Sequence, residues 1–109
     1  MNNKEIGMLG EELAVKLLEN KGYKILERNY ATKPGEIDII AINGRVIIFT
    51  EVKTRISSNM GKGREAVNDI KQSKIRKAAE IYLMRTQIPY DYCEFHVIEV
   101  SIEHIENCF

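Results

Sequence analysis

The chain has 109 residues, 44% of them hydrophobic and 29% charged, with 16 Lys and Arg balanced by 16 Asp and Glu. That length supports a single core and one domain over 1–109, and the composition excludes a disordered chain. Cys93 and Cys108 lack metal-ligand spacing and are too few for a disulfide scaffold, so the expected setting is reduced and cytoplasmic.

The opening MNNKEIGMLGEE holds no apolar stretch suited to a signal peptide, and runs such as Val46–Phe49 are far too short to span a bilayer. Glu5 to Lys21 reads as an amphipathic helix, with Leu9, Leu13 and Leu17 beside Ala14 and Leu18 as its apolar stripe and Gly22 as its stop. Glu11 shares an edge of that stripe with Ala14 and Leu18, where it either faces the sheet or is solvated. Gly7 and Gly10 either admit a close backbone neighbour or loosen the helix start. Tyr23–Tyr30 reads as a first strand and Ala31–Gly35 as a loop ending in Pro-Gly.

Pro34 to Arg55, PGEIDIIAINGRVIIFTEVKTR, carries most of the chemistry. Two apolar runs flank Asn43-Gly44, a strong hairpin signal. A turn at 43–44 places Ile42 opposite Arg45, Asp38 opposite Phe49 and Glu36 opposite Glu51. Alternation then projects Glu36, Asp38, Glu51 and Lys53 from one face, with Asp38 and Glu51 as diagonal neighbours at roughly 7–8 Å. Glu36 against Glu51 would be a destabilising like-charge pair, which a divalent cation would relieve. Both strands are apolar on both faces, so helices are expected on both sides of the sheet.

Thr54–Gly63 reads as a polar flap beside the acids. Arg64 to about Arg85 reads as a second helix with Ile75, Ala78, Ala79 and Tyr82 inward, and Lys71 and Gln72 extend that stripe towards the acids. Ile88-Pro89 ends the helix. Tyr92–Ile102 reads as a last strand carrying Phe95, Val97 and Cys93.

Charge is polarised along the chain. Residues 53–86 hold Lys53, Arg55, Lys62, Arg64, Lys71, Lys74, Arg76, Lys77 and Arg85 against Glu65, Asp69 and Glu80, whereas 87–109 hold acids and no Lys or Arg. Such asymmetry fits a face that meets phosphate, with Arg55, Lys62, Arg64, Lys71 and Lys74 as nucleic-acid contacts; a solvated basic helix is the alternative.

Asp38, Glu51 and Lys53 on one face fit phosphodiester hydrolysis. Carboxylates there, with Glu36 and the Val52 carbonyl, suit Mg²⁺ or Mn²⁺, which would polarise the phosphoryl group and make hydroxide available near neutral pH. Lys53 would orient water or stabilise developing charge. Alternatively, Glu51 and Lys53 form a cross-strand ion pair while Glu36 and Asp38 cap the start of the hairpin.

These residues carry a resemblance. Pro34-Gly35-Glu36-Ile37-Asp38 with Glu51-Val52-Lys53-Thr54-Arg55 resembles the core of the PD-(D/E)XK, or restriction-endonuclease-like, superfamily. With Gly7-Met8-Leu9-Gly10-Glu11, Arg28-Asn29-Tyr30, Gly61 and Lys71-Gln72, the wider pattern is similar to its YraN-like uncharacterised proteins. The resemblance implies an α/β fold with an αβββαβ core, a central mixed sheet flanked by helices, and the site at one sheet end. It further implies Asp38 and Glu51 as metal ligands, Lys53 as the catalytic lysine, Glu11 as an additional acid, and Gln72 in support, as in Holliday-junction-resolvase relatives. Glu94-Phe95-His96 departs from the family's usual Arg-Phe-Asp, and Gly63 stands where proline is common.

The expected function is metal-dependent endonucleolytic hydrolysis of DNA, selective for branched or damaged structures, and a homodimer would suit a two-strand cutter. A nucleic-acid-binding module of the same fold with little or no cleavage, and a protein-interaction domain docking through the acidic C-terminal segment, are the competing readings.

Overall fold

The computed structural model describes residues 1–57 and 67–109. The elements run α1 (Asn3–Asn20), β1 (Lys24–Ala31), β2 (Glu36–Asn43), β3 (Val46–Ser57), α2 (Asp69–Arg85) and β4 (Tyr92–Glu103). The result is an α/β fold with one mixed four-stranded sheet in the order β1-β2-β3-β4. The first three strands are antiparallel neighbours, and β4 lies parallel to β3 after the excursion that contains α2. No helix among the described residues is long and apolar enough to cross a membrane.

The helix ends follow local rules. Asn2 and Glu5 form a reciprocal capping box at the start of α1. At its end, the Gly22 N–H donates to the Glu19 carbonyl and the Tyr23 N–H to that of Leu18, with Gly22 at φ +94°, as a Schellman stop requires. The second helix begins at Asp69, not at Arg64: the Asn68 side chain accepts from the Lys71 N–H and caps it there.

Each helix covers one face of the sheet. Ile75, Ala78, Ala79 and Tyr82 of α2 pack on Ile37, Ile40, Ile47 and Phe49. On the other face, Ala14 and Leu18 of α1 pack on Ile39, Ala41 and Ile48. Each fully buried isoleucine contributes about 1.5–3 kcal/mol, so the β2–β3 hairpin is the double-sided core expected of it. The α1 stripe differs from expectation: Gly10, Ala14 and Leu18 are buried, whereas Leu13 and Leu17 stay substantially exposed. Small residues face the sheet because α1 lies close against it. An added Cβ on Gly10 would fall 1.7 Å from Thr54 Oγ1, while Gly7 has open space.

The hairpin register also differs. Ile42 pairs with Ile47 and Asn43 with Val46, so the turn residues are Gly44 and Arg45. Gly44 takes φ +62° while Asn43 and Arg45 keep negative φ, the pattern of a II′ turn, which places glycine first. The shift is two residues, so within the paired stretch each side chain keeps its face while every opposed pair changes. Beyond it the expected alternation fails, because Ile37 packs with Ile40 towards α2 and Ile39 towards α1. The ladder ends at Ile39↔Thr50. The next position outward sets Asp38 against Glu51 and takes Glu36 away from it, correcting the expected Glu36–Glu51 opposition.

Past Thr50, β3 continues beside β4 alone, paired as far as Ser57↔Glu103. Residues 54–57 therefore belong to a strand rather than to a flap, because β4 is long enough to pair them. The rest of the expected flap, with Lys62 and Arg64, lies outside the described residues.

The two early glycines of α1 separate by experiment. Gly7→Ala should gain roughly 0.5–1 kcal/mol of stability from helix propensity. Gly10→Ala should instead lose about 1–3 kcal/mol through overpacking on Thr54. Urea unfolding monitored by circular dichroism reads both, and equal effects would contradict the close approach of α1 to β3.

Candidate active site

The site forms where β2 and β3 part. Beyond Ile39↔Thr50 the Val52 N–H finds no strand partner on the β2 side and donates instead to Asp38 Oδ2 at 2.7 Å. The N–H and C=O of a strand residue point to the same side, so the Val52 carbonyl also looks towards this opening. Glu51, buried at 7% exposure, projects from β3 beside Asp38 and lies within its hydrogen-bonding reach. A gap in the sheet lets side chains from both covering helices converge.

From α1 comes Glu11. Its Oε1 is buried with no hydrogen-bond partner among the described residues. Burial pushes the Glu11 carboxyl above its ordinary value; Arg28 and the Asn29 amide pull it down, and Glu36 and Glu51 push it up. From α2 comes Lys71, whose Nζ meets Glu51 Oε1 at 2.5 Å. Burial on its own would lower the Lys71 pKa, but contacts with Glu51 and Lys53 and the charges of Glu51 and Asp38 raise it overall. Lys71 thus stays protonated between the acids and Lys53.

Asp38 holds the most displaced proton affinity. Burial raises its carboxyl from the ordinary 3.8 to about 7, against the opposing pull of the Val52 N–H, and Glu51 and Glu11 add to the rise. Two carboxylates side by side resist simultaneous ionisation without added positive charge.

The expected site residues therefore divide. Glu11, Asp38, Glu51, Val52 and Lys53 gather at the opening. Glu36 is exposed at the rim, where its charge is felt by Glu11. Gln72 is exposed and donates from Nε2 to the Val67 carbonyl at 2.7 Å rather than to an acid, although it lines a cavity shared with Glu51. Lys71, expected at the phosphate-contacting surface, is held in the site by Glu51. Arg55 pairs with Glu99 at 3.5 Å on the β3–β4 ribbon, and Lys74 is exposed on α2 with its backbone against Gly35.

Arg28 and Asn29 were not among the expected site residues. Asn29 takes φ +50° between the Arg28↔Ile39 and Tyr30↔Ile37 pairs. An asparagine inside a strand pattern, one of the few residues that tolerates that conformation, was the available signal.

Among the described residues no three His, Cys, Asp or Glu side chains stand as a ready metal cluster. Two carboxylates and a main-chain carbonyl nonetheless suit Mg²⁺, which keeps several waters and takes one or two protein carboxylates. The orphaned Glu11 oxygen and the raised proton affinity of Asp38 fit that oxygen-only donor set.

The profile described as uncharacterised protein family UPF0102 matches residues 10–100. A UPF0102 protein of Alkaliphilus oremlandii is 50% identical, covering 98% of this chain and 99% of its own length. Those of Dictyoglomus turgidum and Geobacter metallireducens are each 46% identical across 100% of this chain, covering 100% and 95% of their own lengths.

The Asp38 environment has a pH signature. A folded-state value above the ordinary one means that protonated Asp38 stabilises the fold fully below about pH 4, and that this contribution is lost as pH rises through about 7. The thermal midpoint of metal-free protein should fall across that window, and Asp38→Asn should flatten the fall. An unchanged slope in Asp38→Asn would assign the proton elsewhere.

Proposed function

The chain belongs to the uncharacterised protein family UPF0102, and from its site we propose a metal-dependent endonuclease of the restriction-endonuclease-like PD-(D/E)XK type that hydrolyses DNA phosphodiester bonds. The observation that carries this reading is the adjacency of Asp38 and Glu51 at the parting of β2 and β3, with Lys53 and Lys71 beside them.

Asp38, Glu51 and the Val52 carbonyl would hold the cation. Bound Mg²⁺ or Mn²⁺ supplies Lewis-acid polarisation of the phosphodiester and hydroxide near neutral pH. The remaining work falls to side chains of this chain. The Val52 N–H fixes Asp38 through Oδ2. Lys53, on the β3 face that carries Glu51, lies where an ammonium can steady charge developing on the phosphoryl oxygens. Lys71 neutralises Glu51 in the present arrangement; with a cation held by Asp38 and Glu51, Lys71 would be free to meet phosphate. Glu11, with its raised proton affinity and unpartnered oxygen, is placed to accept a proton from water. The exposed Lys74, Arg76 and Lys77 of α2 offer salt-dependent contacts to the phosphate backbone.

A second reading is a nucleic-acid-binding module of the same fold with little or no cleavage. The Lys71–Glu51 ion pair favours it, since that contact occupies one of the two central carboxylates.

Cleavage of linear, flapped and four-way DNA in Mg²⁺ or Mn²⁺ separates the readings. The nuclease should cut at least one of these, and Asp38→Ala or Lys53→Ala should each slow cutting by about 10²–10³-fold or more. Cutting that survives both substitutions would remove this site from the reaction. Binding without cutting would support the module.

A further inference from the structure

Beside the carboxylates lies a cavity of about 190 Å³ whose lining runs from Glu51 to Phe95, Gln72, Arg76 and His96. One wall is the Phe95 ring, which stacks on buried Phe49 with centroids 5.5 Å apart and planes at 29°; Phe95 as a residue is 40% exposed. The Arg76 guanidinium carbon sits 4.6 Å from the Phe95 centroid. None of these features is needed to hold a cation or to hydrolyse a phosphodiester.

We infer that this cavity receives an unstacked nucleobase of the strand whose phosphodiester lies at Asp38 and Glu51. The inference rests on the nuclease reading for its placement and extends it to the class of substrate. Three observations converge on a base. Aromatic rings and guanidinium planes are the two surfaces on which unpaired bases stack; Arg76 lies over the Phe95 ring, so a base would stack on this Arg76–Phe95 pair rather than on a bare ring. Gln72 and His96 bring amide and imidazole groups to the lining, where they can pair with polar edges of a base. Glu51 borders both the cavity and the acid pair, so an occupant would lie beside the phosphate being cut.

Size narrows the class further. The cavity is smaller than the ~300–1,000 Å³ of drug-sized sites and admits a planar ring system rather than a base pair. A nucleotide must therefore leave the helical stack to enter. Flaps, junctions and single strands present such nucleotides at little cost, whereas an intact duplex must be unpaired first. Gln72 and Arg76 also line a shallower groove over α2 with Ser73 and Lys77, so the strand has a partly basic route past the cavity mouth. Asp69 and Glu80 border that groove too and would steer phosphates towards its Arg76–Lys77 side.

The test is binding in EDTA, where no metal-dependent cutting intrudes, of a short fluorescent thymidylate strand and of an abasic strand of equal length. The wild-type protein should prefer the base-bearing strand by about tenfold, in line with stacking on one aromatic residue. Phe95→Ala should erase that preference while leaving abasic-strand affinity within about twofold, and Phe95→Trp should restore it. A wild-type protein that does not discriminate, or a Phe95→Ala loss equal for both strands, would overturn the inference; the second result would make Phe95 a packing residue only. Phe95-dependent discrimination without cleavage of any substrate would uphold the base pocket and sink the nuclease reading. Cleavage without discrimination would do the reverse.

Discussion

The hydrogen bond from the Val52 N–H to Asp38 Oδ2 governs the arrangement around it. Two antiparallel strands that paired to their ends would bury their polar groups in each other and leave no room between them. Here the ladder stops at Ile39↔Thr50, and a side-chain carboxylate takes the place of the next main-chain acceptor. That exchange satisfies the amide, which would be costly to bury unpaired. It also opens the sheet at a defined point, with Asp38 anchored at its lip and Glu51 beside it.

An opening through a sheet covered on both faces has a particular consequence: both helices can reach it. Gly10 brings α1 against Thr54, so Glu11, the next residue, arrives at the gap. The Asn68 cap starts α2 where its first turn delivers Lys71 to Glu51. The acids thus gather from three elements and the two lysines from two. Asp38 near neutrality and a protonated Lys71 express one condition: the acid pair lacks positive charge, and Lys71 supplies part of it.

Much of this was legible in the sequence because its signals were local. The order of elements followed from periodicity and stops, as with Gly22 and Ile88-Pro89. Asp38 and Glu51 remain neighbours despite the error in register because the error was an even number of residues. The turn itself was misplaced because Asn43-Gly44 and Gly44-Arg45 both satisfy hairpin chemistry, and only the backbone sign at Gly44 chooses between them. The α1 stripe was legible in part: Ala14 and Leu18 are buried as expected, but Leu13 and Leu17 are displaced outwards because α1 lies so close to β3 that glycine faces Thr54 at position 10. The α2 stripe aimed Lys71 towards the acids, where it lies, but its partner Glu51, twenty positions away in the chain, was not legible and Lys71 also read as a phosphate contact. The Phe95–Arg76 pairing joins β4 to α2 and leaves no trace in either segment alone.

The central claim is that Asp38, Glu51 and the Val52 carbonyl form a cation site whose charge Lys71 now partly balances. Anomalous diffraction from crystals grown with Mn²⁺ tests it directly. The account predicts a manganese peak touching both carboxylates and the Val52 carbonyl, with Lys71 withdrawn from Glu51. Manganese bound elsewhere, or Lys71 still paired with Glu51 at saturating Mn²⁺, would contradict it.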